Sequence, residues 1–372
     1  MRSRAAVSTD PLSPNRPPMQ RKVISNIQYL RLLAASGILI SHTASLLVSD
    51  EAPIWAVPWT AGVDVFFVIS GFIMTWMTAG QFGEPGAWRR YLLRRISRIV
   101  PPYWFFTGLM VVATAVAGEF VRNTRFSPVG LVTSLLFIPW PRSDGMLNPL
   151  LSQGWTLNFE MFFYACFAAG LASRKGFGLI LTALATLVTV HLLIPDRWFV
   201  LAYYSSPIIL EFAAGMLLGQ LYIGGRRLRP VAAILAVAGA VLLYPLVSAS
   251  GIADPWLGSH VGLSRLLLFG FPALLLTAGV ALAPEMHLGR LGELLRFGGD
   301  ASYTLYLSHA FCINAVVVLG HKAGLQSNWG LFAIACASAM VFAALFYRWI
   351  EAPLTRRMNQ RFAAGVRAGP TQ

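Results

Sequence analysis

Arg31 and His42 stand eleven residues apart in the apolar run IQYLRLLAASGILISHT. Eleven helical steps of about 100° end within about 20° of the starting direction, so the two side chains share one face, about 16 Å apart along the axis. Ionisable groups are costly in lipid, and a co-facial pair marks the wall of a polar cavity. The alternative is a snorkelling arginine and a packed histidine. Asp64 in GVDVFFVISGF and Glu160 in GWTLNFEMFFY open two further apolar runs and fall near the depth of His42. A carboxylate beside an imidazole fixes its tautomer and stabilises its protonated form. A general base that takes a proton from an alcohol needs that support. Each carboxylate also has a structural alternative, an arginine pair that holds helices together.

A second group is cationic. In YLLRRISRIVPPYW, Arg95 and Arg98 are three apart and project from one helical face. Two guanidinium groups placed so can clamp a phosphate bidentately; the other reading is a cluster that only reports membrane orientation. The segment DASYTLYLSHAF adds Tyr303, Tyr306 and His309 as further cavity-lining candidates. Glu351, in YRWIEAPLTRR, lies beside Arg348, Arg356 and Arg357, where an interfacial ion pair is expected. Glu211 is left between packing and function, and no role is assigned to His191, His260, His287 or His321.

The elements that must position these groups follow from composition. The 372 residues are 56% hydrophobic and 12% charged, with mean hydropathy +0.62. A soluble chain carries about 25% charged residues, so lipid is the solvent for most of this one. The apolar runs are continuous rather than alternating, which points to helices and away from an outer-membrane barrel. An all-α, polytopic integral membrane protein of about ten transmembrane helices is expected, at roughly 25–47, 58–80, 101–119, 154–172, 177–194, 199–222, 231–249, 263–283, 301–320 and 329–350. Basic clusters fall at every second junction, which places both termini in the cytoplasm. The net charge of +14 is thus read as orientation and not as nucleic-acid binding. Residues 1–22 read as a disordered cytoplasmic tail, 23–355 as the transmembrane domain and 356–372 as a basic cytoplasmic tail. The long loop 120–153 holds Arg122, Arg125 and Arg142 and suits a lid or glycan-facing segment. Cys166, Cys312 and Cys336 have no ligand-like spacing, and no metal site is expected.

Arg31 and His42 with ten residues between, GVDVFFVISGF, Arg95-x-x-Arg98 before a proline, WTLNFE, SYTLYLSH and YRWIEAP follow one another in order. Together they resemble the membrane acyltransferase family 3, over about residues 25–358. The wording of GWTLNFEMFFY and IQYLRLLAA is most similar to the branch that modifies bacterial exopolysaccharides. The resemblance implies transfer of an acyl group, commonly acetyl from acetyl-CoA, to a hydroxyl of a surface glycan, an antibiotic or a lipid. It implies that His42 is the essential histidine, Arg31 its motif partner, Arg95 and Arg98 the pair linked to the donor, and Glu160 the glutamate of the Trp-Thr-Leu-x-x-Glu segment. Some members carry a fused extracytoplasmic esterase-like domain; a stand-alone transferase is expected here.

The expected function is therefore O-acetylation of a surface or exported polysaccharide at the bacterial inner membrane. Acetyl-CoA is the donor substrate, and Arg31, Arg95 and Arg98 hold its phosphates. His42 acts as general base or acyl acceptor, with Asp64 or Glu160 holding the imidazole. No bound cofactor is expected. The partners would be a polysaccharide or lipid-linked glycan acceptor, membrane lipid, and assembly or export proteins. A transporter or flippase of glycan intermediates that uses the same buried groups, and an acyltransferase of small molecules or lipids, are the alternatives.

Overall fold

The computed structural model describes residues 23–48, 55–116, 126–142, 145–191, 193–195, 198–249, 262–325 and 327–367. The tail expected over 1–22, Arg122 and Arg125, His260 and residues 368–372 lie outside them. The described residues form helices and connecting turns, with no strand. In chain order the helices are α1 (Ser25–Leu47), α2 (Gly62–Met77), α3 (Ala87–Val116), α4 (Pro128–Leu135), α5 (Trp155–Leu171), α6 (Gly176–His191) and α7 (Phe199–Tyr204). They continue with α8 (Ile209–Ile223), α9 (Pro230–Ala249), α10 (Leu263–Arg265), α11 (Phe271–Ala281), α12 (Gly289–Lys322), α13 (Asn328–Phe346) and α14 (Ala352–Arg367).

Each of the ten expected spans meets a helix. Among the described residues, seven helical stretches are long and apolar enough to cross a membrane. Two more apolar helices are shorter, within Gly176–His191 and Pro230–Leu243. The chain is an all-α, multi-pass membrane protein. Two helices begin well before hydropathy indicates. α3 opens at Ala87, so Arg89 to Arg98 ride on the same helix as the apolar run that follows. α12 opens at Gly289, well before the expected 301. The part of the expected basic tail that is described is helical, as α14.

Lipid tails are as apolar as leucine, so these helices are held by close packing and interhelical hydrogen bonds rather than by water exclusion. α2 and α8 make the most extensive contact, at two facing glycines. A Cβ on Gly71 would lie 2.1 Å from the Phe212 carbonyl oxygen, and one on Gly215 would lie 2.0 Å from that of Val68. Around this contact α2, α3, α5, α7 and α8 bury an aromatic core in which Phe163 stacks on Phe212 at 4.2 Å and Phe159 on Tyr203 at 4.3 Å.

The second extensive contact sets the site. α1 and α12 run side by side in the same direction: Gln28 backs Gly299, Arg31 meets Ser302 and His42 meets His309. At Gly299 a Cβ would lie 2.2 Å from the Gln28 carbonyl oxygen, so a side chain there would force α12 away.

α3 continues through Pro101 and Pro102. A proline removes the N–H that would bond four residues back, and Pro101 thereby leaves the Ser97 carbonyl without its helical donor. The Thr355 hydroxyl approaches that carbonyl at 3.5 Å, and Ser97 Oγ donates to Asn359 Oδ1 at 2.9 Å. These two contacts dock α14 on α3. Two π-helical turns, Leu266–Gly270 and Tyr347–Glu351, interrupt the regular helices. Each adjoins or contains a buried charged residue, Arg265 before the first and Glu351 within the second. Such turns re-aim side chains at functional positions.

Candidate active site

A cavity of about 100 Å³ opens among α1, α2, α3, α5 and α12. Its polar wall carries Arg31, Arg95, Arg98, Glu160, Tyr303 and Tyr306, so six of the nine residues singled out in the sequence meet in one space. Arg31 is buried and donates to Gln28 Oε1 at 3.0 Å and to Ser302 Oγ at 2.9 Å. Arg95 is half-buried over the rings of Tyr91 and Tyr164, 5.7 and 5.6 Å from their centroids, a cation–π cradle. Arg98 makes no hydrogen bond, and neither Arg95 nor Arg98 makes an ion pair, among the described residues. Three arginines against one carboxylate, Glu160, give the cavity lining an excess of positive charge, with Asp300 and Glu351 within electrostatic reach of Arg31 and Arg98 behind it. Such a wall attracts an anion.

Glu160 faces this wall. Its carboxylate accepts hydrogen bonds from the Ser70 and Tyr164 hydroxyls. Tyr303 donates to the Ile99 carbonyl at 2.8 Å, tying α12 to α3. Tyr306 donates to the Gln153 carbonyl at 2.8 Å and lies 2.9 Å from Thr156 Oγ1, tying α12 to the start of α5.

The histidines lie beyond the cavity wall. His42 is half-buried, and its Nδ1 is 2.8 Å from Nε2 of the buried His309. His309 Nδ1 in turn lies 3.2 Å from the Leu305 carbonyl oxygen. Tyr306 connects the two regions: it lines the cavity, and its ring centroid is 6.1 Å from that of His309. His309 was expected to line the cavity; it stands a turn past it, against His42.

The structure divides the expected histidine–carboxylate cluster. Asp64 is fully buried and held bidentately by Arg265, with Nε to Oδ1 at 3.1 Å and Nη2 to Oδ2 at 2.7 Å. Glu160 is engaged by hydroxyls. The Nδ1 of His42 meets another imidazole rather than Asp64 or Glu160. The physical reason is competition: a buried carboxylate gains more from a bidentate guanidinium than from a neutral ring. Glu351 also departs from expectation. It is buried and accepts from Thr304, while the neighbouring Arg356 and Arg357 are exposed.

Arg265 was not anticipated. It lies at the head of an apolar run, and a charge there is itself a signal. Its guanidinium also covers the Trp155 ring, 5.8 Å from the centroid, so the Asp64–Arg265 pair props the start of α5, whose Thr156 and Glu160 line the cavity. Glu211 is buried beside both members, its carboxyl against that of Asp64.

The fold and site define a multi-pass helical membrane protein with a cation-lined cavity toward one end of α1 and an imidazole pair near the other. The chain belongs to the acyltransferase family whose model, described as “Acyltransferase domain”, matches residues 24–348, and it is an acyltransferase. It is 36% identical over 322 residues to the exopolysaccharide production protein ExoZ of Rhizobium meliloti, covering 83% of this chain and 93% of that one. It is 24% identical over 368 residues to the peptidoglycan O-acetyltransferase OatA of Listeria monocytogenes, covering 90% of this chain and 56% of the relative. The acyltransferase MdmB of Streptomyces mycarofaciens is 26% identical over 338 residues, with 80% of this chain and 81% of the relative covered. No solved structure matches the chain.

Proposed function

We propose that this protein transfers an acetyl or other short acyl group from acyl-CoA to a hydroxyl of a surface or exported polysaccharide, at the bacterial inner membrane. The observation that carries the reading is the layout of α1. Arg31 joins Arg95 and Arg98 on the cavity wall, while His42, on the same face of that helix, meets His309. A donor with its negative charge at one end and its reactive carbonyl at the other matches this separation, about 16 Å along the axis. The arginines take the donor's phosphates from the cytoplasmic side. The acyl thioester extends past Tyr306 to His42, which either deprotonates the acceptor hydroxyl for direct attack or accepts the acyl group first. The polysaccharide acceptor is favoured by the name of the relative ExoZ and by the peptidoglycan O-acetyltransferase among the relatives.

Membranes bearing the protein, given labelled acetyl-CoA and candidate glycans, test the reading. Covalent label on the glycan that disappears in His42→Ala supports it; full activity of that variant overturns it. Trapping a labelled acetyl–His42 adduct selects the two-step route.

A further inference from the structure

The contacts of His42 and His309 form a chain with a direction. The last acceptor is the Leu305 carbonyl, 3.2 Å from His309 Nδ1. A carbonyl oxygen only accepts, so His309 Nδ1 carries a hydrogen. A neutral imidazole has one N–H, so His309 Nε2 then holds a lone pair. The atom 2.8 Å from that lone pair is His42 Nδ1, which therefore supplies the hydrogen. With its own single N–H on Nδ1, neutral His42 has its lone pair on Nε2.

Burial makes this more than an arrangement of convenience. His309 is 1% exposed, on a helix whose approach to α1 is set by the Gly299–Gln28 contact. The same pair of helices joins Arg31 to Ser302, so α12 orients both polar groups of α1 at once. Asp64, Glu160, Glu211 and Glu351 are engaged or placed elsewhere. At Nδ1 of His42 the His309 imidazole stands where the third group of a Ser-His-Asp triad stands, the group that fixes the tautomer and the ring orientation.

We propose that His309 is the positioning residue for His42: it fixes the Nδ1–H tautomer and makes Nε2 the reacting nitrogen. This inference rests on the reading of His42 as the reacting histidine. In direct transfer the acceptor hydroxyl gives its proton to His42 Nε2 as its oxygen bonds to the acyl carbon. His42 passes its Nδ1 proton to His309 Nε2, so that the added positive charge comes to His309. As the carbon–sulfur bond breaks, the leaving thiolate takes the proton from His42 Nε2 and His42 recovers its Nδ1 proton from His309. The hydroxyl proton ends on the thiol, and both rings return to their starting tautomers.

The test has a spectroscopic and a kinetic arm. In reconstituted full-length protein labelled with ¹⁵N-histidine, and with His42→Gln and His309→Gln used to assign the resonances, neutral His42 and His309 are both expected as Nδ1–H tautomers. In His309→Leu the His42 signal should lose that preference. In the kinetic arm, His309→Leu should lower kcat about 100-fold, in the range of general acid–base contributions, with little change in donor KM. His309→Gln, whose amide oxygen can stand where Nε2 stood and accept from His42, should recover a substantial part. An Nε2–H tautomer for His42 in the parent protein, or an unaltered His42 signal in His309→Leu, overturns the proposal. Equal activity of the Leu and Gln variants in folded protein does so too. Full activity of His42→Ala would instead overturn the role of His42 in transfer, while the tautomer spectra would still report on the pair.

Discussion

At the scale of single residues, the separation of cationic and histidine chemistry predicts different kinetic failures. His42→Ala should abolish labelled transfer with the protein still folded in the membrane. Arg95→Ala combined with Arg98→Ala should leave chemistry intact and weaken donor binding, by about 1.5–3 kcal/mol for each charged hydrogen bond lost. A direct binding measurement with the CoA donor checks this; unchanged affinity would remove the phosphate clamp. The Asp64–Arg265 pair should fail as a structural unit. Removing one partner of a buried ion pair costs about 3–5 kcal/mol. Arg265→Met leaves Asp64 and Glu211 facing each other with no cation, whereas Asp64→Asn leaves Glu211 near the guanidinium. Thermal unfolding in detergent should therefore show the larger loss for Arg265→Met, and a larger loss for Asp64→Asn would contradict this account.

At the scale of elements, the site depends on helices that approach closely enough to share hydrogen bonds. Gly299→Val should push α12 off Gln28 and cost about 1–3 kcal/mol, as overpacking does. Because Ser302 and His309 move with α12, transfer should fall at temperatures where the variant remains folded; activity assays beside an unfolding curve separate the two effects. The sequence already marked α1 well: the eleven-residue spacing of Arg31 and His42 holds in the helix, and each meets a polar partner on α12. Element ends were less legible. Arg89 to Arg98 precede the span expected at 101–119, yet a helix leaving the apolar layer keeps its own backbone bonds, so one helix carries both. The helix also runs through Pro101 and Pro102, since Thr355 offers a donor to one of the freed carbonyls.

At the scale of the whole molecule, α1 and α12 carry polar groups through an apolar bundle, with Arg31 on the cavity wall, the histidine pair beyond it and Tyr306 between. A cell lacking the protein should export polysaccharide without the acyl substituent, and restoring the wild-type chain, but not His42→Ala, should return it. Mass spectrometry of the polysaccharide reads this directly, and an unchanged pattern would move the acceptor to another class of molecule. Reporter fusions at successive junctions should alternate in accessibility if ten spans cross the membrane, because the basic clusters alternate in the same way.

Composition and local spacing sufficed for the membrane solvent, the helical class, the family and the candidate residues. Each of these depends on short-range quantities: hydropathy over a span, the helical period, and ordered motifs. Partner choice among the buried charges belonged to tertiary structure alone. Asp64 lies 201 positions from Arg265, and His42 lies 267 from His309. No local pattern states which of several polar groups at similar depth will meet. That is decided by helix packing, here by small residues that let α12 lie against α1, and by the preference of a buried carboxylate for a guanidinium. Arg31 and His42 were visible as chemistry in the chain; that the histidine rests on another histidine emerged only from the fold.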